Sequence, residues 1–161
     1  MSSISHAQFA GLPGGSRRFD NREGGPGTGY YVSRDPDVPV EKGGSEERVA
    51  KAQSVPAVAG HYRKNKNRAL AAPAPSGSNG VYQGIWTSSP EDESDRTPRT
   101  YLDISDHYSD PVIAGHAAIA NQQKGMYAAE PDKTITVWNE DKSKWSAAGI
   151  NEEVKRVIRG L

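Results

Sequence analysis

The segment PAPSGSNG, residues 73–80, sets the tightest limit on what this chain can fold into. Alternating proline and small polar residues support neither helix nor sheet, because proline lacks an amide proton and glycine and serine favour turns. A linker is expected there, with short elements on either side. Seventeen glycines and eleven prolines among 161 residues keep the other elements short too, and only 34% of the residues are hydrophobic. The expected class is α+β: a small ββαββ module with flanking helices and a long irregular N-terminal arm.

Upstream of the linker, residues 1–29 carry seven glycines in GLPGG and REGGPGTG, with Arg17, Arg18 and Arg22 between them. No apolar periodicity runs through this stretch, so its own burial does not offset the entropy of ordering it. It reads as a flexible arm that a partner orders. Residues 30–72 read as short strands plus a proline-interrupted helix. GYYVS is aromatic and β-branched and predicts a strand, which DVPV extends or pairs with, while Pro36 and Pro39 keep it short. Ser45 followed by Glu46 and Glu47 predicts a helix start, and Pro56 bends or splits that helix before a second segment to Ala71.

Downstream, VYQGIWTS alternates Val81, Gln83, Ile85 and Thr87 against Tyr82, Gly84 and Trp86, which predicts a strand. PEDESDRTP is an exposed loop, TYLDIS a second strand, residues 111–124 a helix, and GMYA and KTITVW two more strands. Residues 81–138 therefore form the ββαββ module, and residues 139–161 a tail whose NEEVKRVIRGL is a short amphipathic helix. A unit of about 60 residues lies near the lower limit for folding without disulfides or metals. The N-terminal elements or an external partner are expected to complete its core.

Several chemistries are excluded or disfavoured. With no cysteine, thiolate catalysis, disulfides and zinc ribbons are out. No apolar run reaches the roughly 18–20 residues of a membrane span, and MSSISHAQFAGL does not read as a secretion signal. A protein made and assembled in the cytoplasm is expected. The window YLDISDHYSDPVIAGH gathers Asp103, Asp106, His107, Asp110 and His116, the groups a hydrolase or metal site needs. Asp110 before Pro111 is better read as a helix cap, Asp106 and His107 as turn residues, and His116 as part of an apolar stripe with Val112, Ile119 and Ala120. No metal-ligand spacing is present, so no metal site, cofactor or catalytic residue is assigned. The octets SVPAVAGH (54–61) and SDPVIAGH (109–116) echo one another, and Gly60 and Gly115 within helices suggest close backbone packing.

Charge points to binding instead. Residues 1–80 hold 11 basic against 7 acidic side chains, and residues 81–161 hold 9 against 13. In HYRKNKNR, the cations Arg63, Lys64, Lys66 and Arg68 are candidate phosphate contacts, with Arg17, Arg18 and Arg22 extending the same surface. Trp86 and Trp138 fall on strands and read as core or rim residues. Trp145, in DKSKWSAAG outside regular elements, reads as a partner anchor.

GIW (84–86), TYLDIS (100–105), the helix and KGMYAA (124–129) together resemble a group of small uncharacterised proteins from phages and prophages of actinobacteria. That resemblance implies a phage-encoded origin and supplies no catalytic residues. With the arm, it implies a non-enzymatic virion component, present in several copies, whose residues 1–29 dock on neighbouring subunits through Arg17, Arg18 and Arg22. The alternative is a soluble phage-encoded binder of a host protein or nucleic acid that uses residues 61–68.

Overall fold

The computed structural model describes residues 3–34, 46–71, 73–121, 123, 125–130 and 133–136. In chain order the elements are α1 (His6–Ala10), β1 (Gly14–Arg18), β2 (Tyr30–Ser33), β3 (Glu47–Ala50) and α2 (Ser54–Ala71). After them come β4 (Ser78–Thr87), β5 (Arg99–Tyr108), α3 (Pro111–Ala120), β6 (Gly125–Ala128) and β7 (Lys133–Thr136). Helices and antiparallel strand pairs together make the fold mixed α+β.

Two compact units share these elements. The first draws its described residues from Met1–Gly25, Val38–Pro73 and Val81–Ser105, the second from Pro26–Asp37, Ala74–Gly80 and Asp106–Leu161. The expected ββαββ stretch has its elements in the expected order, but the boundary at residue 105 divides it between the units. Its two halves join different upstream segments.

In the first unit, β4 pairs antiparallel with β1, Gly14 opposite Trp86 and Arg18 opposite Tyr82. On β5 lie the β3 residues, Glu47 opposite Leu102 and Ala50 opposite Arg99. Helix α2 closes the core: Val58 packs with Phe9, Ala10, Ile85 and Leu102, while Tyr62 and Ala69 pack with Phe19 and Ile104. Phe9 and Phe19 are fully buried, so residues 3–25 are part of this core rather than a flexible arm. The reason is a hairpin. The amide of Arg18 donates to the Glu23 carbonyl and that of Gly25 to the Ser16 carbonyl, and the turn between them is made by Asp20, Asn21 and Arg22, the last at a positive φ of 61°. Short polar side chains supply such turns, and the Asn21 side chain accepts from the Glu23 amide at 3.0 Å.

Two further expectations change here. The acids after Ser45 do not open a helix: Glu47 lies in β3, whose sequence ERVA pairs with β5, and the helix begins at Ser54. Pro56 sits in the first turn of α2, where its missing amide removes no helical hydrogen bond, so nothing is split. At Gly60, nothing lies within 4 Å of where a Cβ would be, so the close packing expected there is absent.

In the second unit β2 pairs antiparallel with β6, which pairs with β7. Val32, Tyr108, Ala114, Ala118, Met126 and Ala128 form its core. Asp110 caps α3 as its sequence predicts, accepting from the amides of Val112 at 2.8 Å and Ile113 at 3.1 Å. The buried face of α3 is made of the small residues Ala114, Gly115 and Ala118, not of the larger stripe through His116, which is half-buried. Small residues let the helix approach the strands closely. Part of the expected linker is strand, since β4 begins at Ser78. DVPV, Trp138, Trp145 and the C-terminal helix lie outside the described residues.

Candidate anion-binding cavity

Arg17 is the largest fully buried side chain among the described residues, and none of its described hydrogen-bond partners is a carboxylate. From β1, its Nε donates to Gln83 Oε1 at 2.8 Å, Nη1 to the Ile4 carbonyl at 2.9 Å, and Nη2 to His6 Nδ1 at 2.8 Å. The guanidinium also lies over two rings, 4.6 Å from Phe9 and 4.9 Å from Tyr62. Gln83 is fixed from behind, donating to the Val58 carbonyl at 3.1 Å and to His61 Nδ1 at 3.0 Å. A buried charge is costly unless hydrogen bonds or rings replace its water, and here they are all uncharged. Burial brings the Arg17 pKa down to about 10, which leaves it cationic at neutral pH.

That geometry sets the proton on His6. A guanidinium has only donors, so His6 Nδ1 must accept and the neutral ring carries its hydrogen on Nε2. Burial, then the positive charges of Arg17, Arg22 and Arg63, hold the His6 pKa below its ordinary value.

His6 and Tyr62 also line a cavity of about 450 Å³, with Asn21, Arg22, Arg63 and Lys66 as its other donors. Arg22 comes from the left-handed position of the hairpin turn. Arg63 and Lys66, three apart on α2, fall on one face of that helix. Asp20 is the only carboxylate among the described lining residues, and Arg18 holds both its oxygens, at 2.8 and 3.0 Å. The Arg18 hydrogen bond lowers the Asp20 pKa, so this acid stays ionised and occupied. Among the described residues no carboxylate pairs with Arg22, Arg63 or Lys66. A hollow lined by donors and by cations with no carboxylate partner among the described residues favours an anion.

The two basic segments read from the sequence thus meet, but only in part. Arg22, Arg63 and Lys66 line the cavity, and Arg17 lies beneath it, fully buried and unable to touch a partner. Arg18 is spent on Asp20 and lies over the Tyr82 ring. Lys64 is exposed outside the lining, and Arg68 donates to Asn65 Oδ1 at 3.0 Å. Trp145 is outside the described residues. His6, Asn21, Tyr62 and Gln83 carry no motif in the sequence. The turn pair Asp20–Asn21 between two aromatic-flanked segments was the available signal for the hairpin.

The Asp and His window resolves into separate structural roles. Asp106 and His107 are on β5, not in a turn, and both are buried. Asp106 takes both forks of Arg34, at 2.7 and 3.0 Å. His107 Nε2 faces the Thr28 carbonyl at 2.8 Å and must donate, which leaves Nδ1 to accept from Asn79 at 3.3 Å. Asp103 lies across Gly84, where any Cβ would collide with its carboxylate. Among the described residues no three His, Asp or Glu side chains are placed to hold a metal ion, and no helix is long and apolar enough to cross a membrane.

Trp86, expected in the core or at its rim, is half exposed and leans on Tyr101 at 5.5 Å. Glu93 receives hydrogen bonds from Tyr101 at 2.6 Å, Ser88 at 2.8 Å and Arg48 at 2.9 Å. Every group in that cluster has a partner, so it reads as a local staple. No family model matches this chain, and no curated protein or solved structure matches it either.

Proposed function

We propose that this chain is a non-enzymatic interaction protein, a minor or accessory component of a phage particle, that engages an anionic group of its partner through the cavity of the first unit. The single observation behind this reading is the convergence of Arg22, Arg63 and Lys66, from two distant segments, on one hollow whose one carboxylate among the described residues is already bound by Arg18. Unpaired cations held on a rigid hairpin and helix are preorganised for an anion and repel one another without it. The phage setting rests on the resemblance of GIW, TYLDIS and KGMYAA. Docking is assigned to this cavity instead of to a loose arm, because residues 3–25 are built into the core.

Particle composition tests the setting. Mass spectrometry of purified particles from the strain that encodes the chain should find it at a fixed copy number, and its absence from them would overturn the virion reading. The charge reversals Arg63→Glu and Lys66→Glu should then abolish incorporation while leaving the protein folded. The second reading is a soluble binder of a host protein or nucleic acid, and it is favoured by the exposed cations Arg63, Lys64 and Arg68 along α2. A nucleic-acid affinity that falls steeply with salt would select it.

A further inference from the structure

We infer that the cavity lined by His6, Asn21, Arg22, Arg63 and Lys66 is a receptor for a phosphate monoester; the inference rests on the anion-binding role proposed above and names its ligand.

Three features separate phosphate from other anions. The first is donor count. His6 is left with an Nε2 hydrogen because Arg17 occupies Nδ1, and Arg22, Arg63 and Lys66 offer donors only. Of the acceptors in the described lining, Asp20 has both oxygens engaged by Arg18, the Asn21 side-chain oxygen takes the Glu23 amide and the Asn21 carbonyl takes the Ser3 hydroxyl. Three cations against one engaged carboxylate make the described lining donor-rich and positive, which disfavours amines and gives neutral sugars no charge to answer. The second is shape. Two guanidinium forks reach the hollow from different elements, Arg22 from the hairpin turn and Arg63 from α2, with an ammonium one turn further along α2. A planar carboxylate is matched by one fork. A tetrahedral group with three terminal oxygens and nearly two negative charges can be held by both forks and the ammonium together. The third is the positive charge of Arg17, buried behind His6 with no carboxylate partner among the described residues, which adds to the positive potential of the cavity.

The ring of Tyr62 argues against a nucleobase as the recognised part. It is already contacted by Phe19 at 5.4 Å, Arg17 at 4.9 Å, Lys66 at 5.7 Å and His6 at 5.6 Å. Its hydroxyl is committed to the Phe19 carbonyl at 2.6 Å. The cavity volume of about 450 Å³ exceeds one phosphate and leaves room for the body that carries it.

The test is calorimetric titration of the full chain with inorganic phosphate, a nucleoside 5′-monophosphate, malonate, and a single-stranded oligonucleotide without terminal phosphates, at pH 7.5 and constant ionic strength. Phosphate and the monophosphate should bind in a one-to-one ratio, the monophosphate more tightly if its body occupies the remaining volume and equally if only free phosphate is recognised. Arg63→Gln, an exposed position that does not enter the core, should weaken both by about tenfold or more, as loss of a charge-assisted hydrogen bond does. A histidine NMR signal from His6 should move on titration and should not move in Arg63→Gln at the same ligand concentration. Malonate binding as tight as phosphate, or oligonucleotide binding with no response to phosphate, would overturn the inference. So would silence to all four ligands. Charge-dependent incorporation into particles could survive each of these results, so the two claims fail separately.

Discussion

Each unit holds a largely buried arginine, one paired with a carboxylate and the other surrounded by uncharged groups. In the second unit Arg34 meets Asp106 fork to fork, at 2.7 and 3.0 Å, with the acid almost wholly buried. In the first, Arg17 is more deeply buried and has only an amide, a carbonyl, an imidazole and two rings for company. A carboxylate cancels the charge locally, and the ion pair serves packing alone. Uncharged partners solvate the guanidinium but leave its field intact, so the surface beside it stays positive. The same residue type therefore closes one unit on itself and charges a cavity in the other.

The largest effect should come from breaking the paired site. Asp106→Ala removes the buried carboxylate that takes both forks of Arg34, and chemical denaturation should show a loss of about 3–5 kcal/mol. Gly29→Ala attacks the same unit through the backbone: φ there is +81°, and a Cβ would come within 2.5 Å of His107 Nε2. It should cost about 3 kcal/mol in the same assay. Arg17→Met should cost less, about 2 kcal/mol, because it leaves three acceptors unsatisfied but also removes a buried charge. If Arg17→Met proves worse than Asp106→Ala, the contrast between the two sites is wrong.

Smaller effects sharpen the comparison. Gly60→Ala, on the open surface of α2, should raise stability by about 0.5–1 kcal/mol, the reverse in sign of Gly29→Ala. His6 gives the smallest change and a pH signature. Its folded pKa lies below the ordinary value of 6.5, so the unfolded chain binds the proton more readily. The contribution of neutral His6 is complete above about pH 6.5 and is lost as pH falls through the lower folded value. Urea midpoints of wild type and His6→Asn should therefore run parallel above pH 7 and converge on acidification.

Much of the second unit was legible in the sequence. YYVS, GMYA and KTIT carry strand residues between turn signals, and the Asp110–Pro111 pair marks the start of α3. The first unit was less so, for a physical reason. Its N-terminal segment spreads Phe9, Arg17 and Phe19 among glycines, and their burial is completed by β4, β5 and α2, far along the chain. Periodicity within a segment does not register contacts of that range. The cations of the cavity were visible as basic clusters, but which of them face a ligand depends on the hairpin turn and on Asp20 taking Arg18. ERVA shows the same override: two acids after a serine favour a helix locally, and pairing with β5 decides for strand.

The Arg17–Gln83 hydrogen bond spans 66 positions, and that separation has a cost during synthesis. At ribosomal rates of about 5–20 residues per second, roughly 3–13 s pass between the making of the two residues. Throughout that interval the hairpin has neither β4 to pair with nor an amide to receive its guanidinium, so the contacts that Arg17, Phe9 and Phe19 make with β4 and β5 are still unmade. The nascent chain is then at its most adhesive, and a chaperone that holds the first 80 residues would act on this segment before any other.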